Sequence, residues 1–121
     1  MILNVSEKGN EISFVRIDDD DDDIVNVSIQ AIFYPTVQSL VDSINAELKS
    51  FSRCHVSFTC SDITQRSFMV FKKTSKYSVS LGRDIAQILG FHAHTPHYAT
   101  PEDGLKSIFS SGQFGPHANL L

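Results

Sequence analysis

One stretch of the chain carries a helical pattern of apolar residues, and this pattern restricts the fold more than any other feature. Between residues 37 and 51, apolar side chains recur at offsets of three and four, and polar side chains fill most other positions. Since an α-helix has about 3.6 residues per turn, this spacing puts the apolar side chains on one face, which must be buried. Thr36, directly before the pattern, suits an N-cap. The sequence therefore predicts an amphipathic helix 37–51 with the stripe Val37, Leu40, Val41, Ile44, Leu48 and Phe51.

Five segments alternate apolar and polar side chains, which is typical of half-buried β-strands. They are 11–17, 24–33, 54–60, 67–71 and 76–81. In the second segment the inward series is Val25, Val27, Ile29, Ala31 and Phe33. Pro35 ends that strand, because proline has no amide hydrogen for a sheet ladder. The first two segments predict one hairpin, and the next two predict another across the polar loop 62–66.

A short second helix is predicted directly before a glycine. Ile85, Ile88 and Leu89 fit one face of two helical turns, and Gly90 followed by Phe91 suits a left-handed C-terminal cap. The nearest apolar surface for helix 37–51 is the sheet formed by the strands around it. The sequence therefore predicts an α+β fold, in which a small antiparallel sheet of about five strands packs on helix 37–51 and carries the short helix 83–89.

Chain length and composition along the chain predict one domain with loose ends. At 121 residues the chain can bury a single core. Residues 1–10 are predicted to be a loose N terminus, residues 11–91 a single α+β domain, and residues 92–121 an irregular C-terminal extension. Inside the domain, six consecutive aspartates at 18–23 are predicted to form a solvated acidic loop between two strands.

Charge and hydropathy argue against two classes of partner. The net charge is -4 and the ten Lys and Arg residues are scattered, whereas proteins that bind a phosphate backbone cluster their basic residues. Lys72, Lys73 and Lys76 form a local basic group beside one hairpin. The first residues lack the apolar segment of a signal peptide, and no apolar run has the length of a membrane span. We therefore expect no nucleic-acid or membrane partner and an intracellular location, cytoplasmic or nuclear.

The two cysteines, Cys54 and Cys60, lie in one predicted strand. Six steps of about 3.3 Å separate them by roughly 20 Å, whereas a disulfide needs Cα atoms within about 7 Å. They cannot bridge each other. We expect both to be small buried core residues in a reducing compartment.

The aspartate run raises the question of a calcium site. An EF-hand loop that began at Asp18 would need glycine at its sixth position and glutamate at its twelfth, but these positions hold Asp23 and Ile29. A solvated turn is the simpler interpretation, and a loose cation-attracting loop is the alternative.

Histidines form the second group of candidate metal ligands. His92, His94 and His97, together with His117, offer imidazole nitrogens that zinc or copper bind. Their spacing matches no zinc pattern, and the sequence has no Cys-x-x-Cys pair. Surface histidines of the C-terminal extension are therefore expected, with a metal site as the alternative.

Catalytic motifs are missing from the sequence. It has no Gly-x-Ser-x-Gly elbow, no phosphate-binding glycine loop and no His-Glu-x-x-His helix. A Cys54 or Cys60 nucleophile assisted by His55 fails, because adjacent residues of a strand point to opposite faces. We therefore predict no catalytic, cofactor-binding or metal-binding residue, and a protein that is not an enzyme and has no cofactor or small-molecule substrate.

Between residues 29 and 91 the order of features resembles that of a known family. The runs that carry the resemblance are FYPTVQSLVDSIN at 33–45 and VSLGRDIAQILGF at 79–91, with a predicted hairpin between them. In this order they resemble uncharacterised proteins encoded by Polinton (Maverick) transposable elements. The pattern of those proteins combines Leu-Val-x-x-Ile-Asn, a β-hairpin and Leu-Ala-x-x-Leu-Gly-Phe.

The resemblance implies a role in assembly. The Polinton proteins resemble capsid components of double-stranded DNA viruses, so the implied function is a virion structural or accessory protein that self-assembles or binds protein partners. A jelly-roll vertex component is one form of this role, and the virion is then the location. A cellular protein–protein interaction module is the alternative. The resemblance implies no catalytic residue, and its motif residues enter as core positions: Leu40, Val41, Ile44, Leu89 and Phe91.

Overall fold

The structure is a computed structural model that describes residues 3–16, 24–51, 56–72, 77–98 and 107–113. Within these ranges the chain forms eight strands and two helices. In chain order they are β1 Leu3–Asn4, β2 Glu11–Arg16, β3 Ile24–Ser28, β4 Phe33–Tyr34, α1 Val37–Leu48, β5 Val56–Ser61, β6 Arg66–Phe71, β7 Tyr77–Leu81, α2 Arg83–Leu89 and β8 Ser107–Gln113. The predicted α+β class is therefore confirmed.

Helix α1 begins where the sequence indicated and buries the predicted stripe. The Thr36 hydroxyl accepts a 3.0 Å hydrogen bond from the Ser39 amide, and the Ser39 hydroxyl accepts one of 3.1 Å from the Thr36 amide, which together form a capping box. The helix ends at Leu48 and not at residue 51, because the Ser50 and Phe51 amides close tighter turns onto carbonyls three residues earlier. Its buried residues are Val37, Leu40, Val41, Ile44 and Leu48.

The strands divide into a two-stranded ribbon and two three-stranded sheets, instead of the single sheet of about five strands that the sequence predicted. The strand orders are β1-β4, β3-β2-β7 and β5-β6-β8, and all pairs are antiparallel. Both predicted hairpins, β2–β3 and β5–β6, are present. The division arises because β7 pairs with β2, so the strand after the second hairpin joins the sheet of the first.

The predicted strand 24–33 breaks in the middle because the pairing shifts register. Ser28 pairs with Glu11 in β2, and Tyr34 pairs with Leu3 in β1. From the first pair to the second, one side advances by six residues and the other side goes back by eight, so the register changes between them. The shift changes which side chains point inward, so Tyr34 is buried and Phe33 is 65% exposed. The prediction that Phe33 points into the core was therefore wrong.

One hydrophobic cluster connects both three-stranded sheets and both helices. Its fully buried side chains include Phe14 of β2, Ile44 of α1, Phe58 of β5 and Ile85 of α2. Val5 also belongs to this cluster and is 1% exposed, while β8 extends the second sheet by pairing with β6. The core and sheets therefore draw on residues outside the predicted domain 11–91.

Helix α2 has the bounds that the sequence predicted, and it ties the N-terminal segment to the core. Gly90 ends it as a left-handed cap with a φ of 88°. Near its start, the Asp84 carboxylate accepts hydrogen bonds of 2.8 and 2.6 Å from the Ser6 amide and hydroxyl. Burial opposes ionisation of Asp84, but these bonds and the adjacent Arg83 outweigh it, so the pKa of Asp84 lies below its ordinary value. Gly9 lies so close that a Cβ there would be 2.5 Å from the Asp84 amide nitrogen.

The sequence predicted that Cys60 would be a buried core residue. In the structure it lies at the margin of the core instead. It is half-buried in β5, and its thiol donates a 3.1 Å hydrogen bond to the side-chain oxygen of Gln38. Burial, and after it the charges of Asp62 and Asp42, raise the pKa of the Cys60 thiol. Cys54, the other predicted core cysteine, lies outside the described residues.

Candidate functional site

The histidines that the sequence offered as metal ligands do not converge on one point. His92 and His94 are exposed, and His97 is half-buried. In the ranges that the structure describes, no three His, Cys, Asp or Glu side chains come close enough together to hold a metal ion. The aspartate run 18–23 and His117 lie outside those ranges.

The backbone around His97 covers one edge of a sheet. The Val79 amide donates a 2.7 Å hydrogen bond to the His97 carbonyl, and the His97 amide donates one of 2.9 Å back to Val79. The His94 amide donates to the Leu81 carbonyl at 2.9 Å. Burial and the neighbouring His92 lower the pKa of the His97 imidazole. Residues 94–97 therefore occupy the outer side of β7, where another strand would otherwise pair.

Helix α1 covers the edge of the other three-stranded sheet. The Asn45 side-chain nitrogen donates a 2.8 Å hydrogen bond to the Phe58 carbonyl, and its oxygen accepts one of 2.8 Å from the Phe58 amide. The backbone amide and carbonyl of Phe58 point away from β6, because in an antiparallel pair every second residue directs its backbone groups away from the neighbouring strand. A single side chain of α1 thus takes the place of a neighbouring strand at β5.

Among the described residues, the outer edge of β3 has no neighbouring strand or helix group bonded to it, in contrast to the edges of β5 and β7. Ile29 donates a 2.8 Å hydrogen bond to the Asn10 carbonyl, which marks a bonded pair at the end of the β2–β3 ladder. Since bonded and non-bonded pairs alternate in an antiparallel ladder, Ile24, Asn26 and Ser28 direct their backbone groups away from β2. None of the described residues pairs with these groups.

Exposed apolar side chains adjoin this open edge. Val15 and Ile24 are cross-strand neighbours and are 37% and 51% exposed. Beside them, the Ser13 hydroxyl donates a 2.8 Å hydrogen bond to the side-chain oxygen of Asn26. We call the outward backbone of Ile24, Asn26 and Ser28, with the Val15 and Ile24 side chains, the β3 edge surface. It combines main-chain donors and acceptors with apolar area, which is the combination that a docked strand uses.

The sequence did not predict the β3 edge surface. It predicted the strand, but an alternating pattern shows only which side chains point inward, and not whether one or both sides of the strand have a neighbour. No sequence signal indicated that β7 would pair with β2 and leave β3 at the edge.

Two further observations bear on possible partners. No helix within the described ranges is long and apolar enough to cross a membrane. Of the basic group in the sequence, Lys72 is exposed just after β6, and Lys73 and Lys76 lie outside the described residues.

No protein-family model, curated protein or solved structure matches this chain. The similarity to Polinton proteins therefore rests on the two sequence runs 33–45 and 79–91 alone.

Proposed function

We propose that this chain is a non-enzymatic assembly protein whose β3 edge surface pairs with the same surface of a second copy. The observation that supports the proposal is the contrast between edges: α1 covers β5, residues 94–97 cover β7, and β3 has no neighbour among the described residues. Proteins generally protect a free edge, because it pairs readily with other chains. An edge that is unprotected beside exposed apolar side chains is suited to be an interface.

The geometry of the edge favours a second copy in an antiparallel arrangement. A two-fold axis through Asn26 would set Asn26 opposite its equivalent and Ile24 opposite Ser28, so that outward donors and acceptors meet in up to roughly six hydrogen bonds. The two three-stranded sheets would then form one continuous sheet. The exposed Val15 and Ile24 side chains lie on the face of this sheet and would add apolar contact.

Charge selects the antiparallel direction over the parallel one. Six aspartates directly precede Ile24 in the sequence, and parallel pairing would place two such runs side by side. In the antiparallel pair the two Ile24 residues lie about 13 Å apart along the strands. This separation exceeds the Debye length of about 8 Å at physiological salt, so charges at the two points where the runs enter β3 are largely screened from each other.

The biological setting that we propose is a virion or capsid-related component of a Polinton-like element, as the resemblance of 33–45 and 79–91 implies. A jelly-roll arrangement is the finer form of this proposal. A jelly roll consists of two packed sheets with eight strands in total, which is more than the three strands of each larger sheet in this chain. A cellular interaction module is the second candidate. Neighbouring genes for a protein-primed polymerase, an integrase and a packaging ATPase would favour the first candidate, and an intron-bearing cellular locus would favour the second.

Proline at position 26 provides the test. Asn26→Pro removes an outward amide that bonds to nothing in β2, and edge positions tolerate proline. Asn26→Thr is the matched control, because it also replaces the side-chain amide that accepts from Ser13 but keeps the backbone amide. Molar mass is measured by size-exclusion chromatography with light scattering up to roughly 1 mM, which detects association as weak as about 4 kcal/mol. Circular dichroism checks that each variant is folded.

We expect the wild type and Asn26→Thr to associate at least to dimers as the concentration rises, and Asn26→Pro to stay monomeric. A wild type that stays monomeric at every concentration contradicts self-assembly. A dimer that Asn26→Pro leaves intact shows that a different surface is used.

A further inference from the structure

The hairpin β5–β6 presents an apolar side chain at its tip. Ile63 is 96% exposed, more than any other large apolar residue among those described. The turn that carries it is braced: the Gln65 side chain donates a 2.7 Å hydrogen bond to the Asp62 carbonyl, and Gln65 has a left-handed φ of 57°. The Thr64 amide donates to the Ser61 hydroxyl at 3.4 Å. Ile63 therefore lies outside its own core, on a hydrogen-bonded turn.

A cleft lies at the opposite end of the same hairpin. It has a volume of about 240 Å³ and opens between the C-terminal end of α1 and the base of β5 and β6. Its apolar lining comes from Leu48, Phe51 and Val56. Lys49 and Lys72 line it as well, and both are exposed. The cleft therefore combines an apolar floor with a cationic rim.

The tip and the cleft match in size and in charge. An enclosed apolar cavity of about 150 Å³ already holds a benzene molecule, so the cleft has room for the four side-chain carbons of Ile63. Asp62 precedes Ile63 and is exposed, and it would meet the cationic rim of Lys49 and Lys72 as the tip enters. Both ends of one hairpin thus carry complementary surfaces that a single chain cannot bring together, because the hairpin strands separate them.

We infer that Ile63 of one copy inserts into the cleft of the next copy, in a head-to-tail contact between hairpins. The occupant of the cleft is a second copy of this chain, since the chain itself carries an exposed apolar side chain, Ile63, beside an exposed carboxylate, Asp62, that can meet the cationic rim. Arg66, also exposed, lies across the turn from Asp62 at the start of β6. Such a contact joins two different surfaces, so it continues from copy to copy and forms a ring or a filament. The inference rests on the proposed function as an assembly protein, but it uses a different surface.

The two contacts have different consequences for the size of the assembly. Pairing at the β3 edge surface closes on itself and stops at two copies, whereas the head-to-tail contact has no such limit. One inserted side chain buries much less area than the roughly 1,000 Å² of a stable interface. The head-to-tail contact is therefore weak alone, and linked dimers strengthen it because each presents two tips and two clefts.

The experiment compares charge-reversed chains alone and mixed. One chain carries Asp62→Lys, and the other carries Lys49→Glu with Lys72→Glu; all three positions are exposed, so the fold is not expected to change. Glu7→Lys, an exposed position in the turn before β2, is the control for the change in net charge that Asp62→Lys makes. Sedimentation velocity from dilute to millimolar protein measures growth beyond the dimer. Ile63→Ser and Ile63→Leu test the inserted side chain itself.

We expect the wild type, Glu7→Lys and Ile63→Leu to grow beyond the dimer. Ile63→Ser and each charge-reversed chain alone should stop at the dimer, because their association beyond the dimer is weakened at least tenfold. Mixing the two charge-reversed chains restores growth, because each tip then meets a rim of opposite charge. A wild type that stops at the dimer overturns the head-to-tail contact and leaves pairing at β3 standing. Growth that persists in Asn26→Pro overturns pairing at β3 and leaves the head-to-tail contact standing. A mixture of the two charge-reversed chains that stays at the dimer overturns the head-to-tail contact.

Discussion

Replacing Asn45 with alanine tests whether helix α1 shields the edge of β5. The variant leaves the Phe58 amide and carbonyl without the two 2.8 Å hydrogen bonds that they make in the structure. For partly buried groups we assign about 1.3 kcal/mol to each lost partner. Alanine returns about 0.6 kcal/mol through its higher helix propensity, so the net loss of unfolding free energy is about 2 kcal/mol. In a chain of this length that loss lowers the melting temperature by about 8 °C.

Urea denaturation followed by circular dichroism measures this loss, and thermal melting checks it. Gln38→Ala is the control on the same helix, because the hydrogen bonds of Gln38 lie at the surface, and a change within about 0.5 kcal/mol is expected. Asn45→Asp separates the two bonds: its carboxylate accepts from the Phe58 amide but cannot donate to the Phe58 carbonyl. If Asn45→Ala is as stable as Gln38→Ala, water reaches the edge of β5 and the shielding role of α1 is refuted.

Three further changes test other parts of the fold. Ile44→Asp puts a carboxylate at a position with 0% exposure, so circular dichroism should show an unfolded chain; a folded variant would contradict the burial of Ile44 in the core. The pKa of Asp84 is lower in the folded chain than in the unfolded chain, so its ionised form stabilises the fold at pH values above the ordinary carboxyl pKa of about 3.9. This stabilisation is lost as the pH falls through the pKa of Asp84 in the folded chain. Wild type should therefore lose more stability than Asp84→Asn between about pH 5 and 2 in urea titrations, and equal slopes would contradict the role of Ser6. Gly9→Ala forces a Cβ against Asp84 and should cost about 1–3 kcal/mol in the same assay, whereas no loss would show that the turn relaxes freely.

The elements of the fold could be predicted from the sequence because their signals are local. The α1 stripe repeats within a few turns, and Gly90 marks the end of α2, so both helices were predicted within a few residues. Strands β2, β5, β6 and β7 alternate over five or six residues and were also predicted closely. The break after Ser28 was missed, because the apolar residues continue in phase to Phe33 while the pairing partner changes.

The candidate site depends on contacts between distant parts of the chain, and these have no local signal. Among the described strands β3 lies at the edge of its sheet because β7 returns to β2, and the edge of β5 is closed because Asn45 reaches Phe58. In the sequence, Asn45 was simply a polar residue on the outer face of a helix. His97, offered as a metal ligand, covers β7 through its backbone, which side-chain chemistry does not indicate.

Amide hydrogen exchange of Asn26 and Ser28, followed by NMR at two protein concentrations, tests pairing through β3 most directly. Both amides face away from β2, so in dilute protein they should exchange at rates close to those of an unfolded chain. At roughly millimolar concentration, where weak association is populated, both should become protected while the Val27 amide on the β2 side stays protected throughout. Protection of Asn26 and Ser28 in dilute protein would mean that the edge is already covered within one chain. Fast exchange at both concentrations would contradict pairing at β3 altogether.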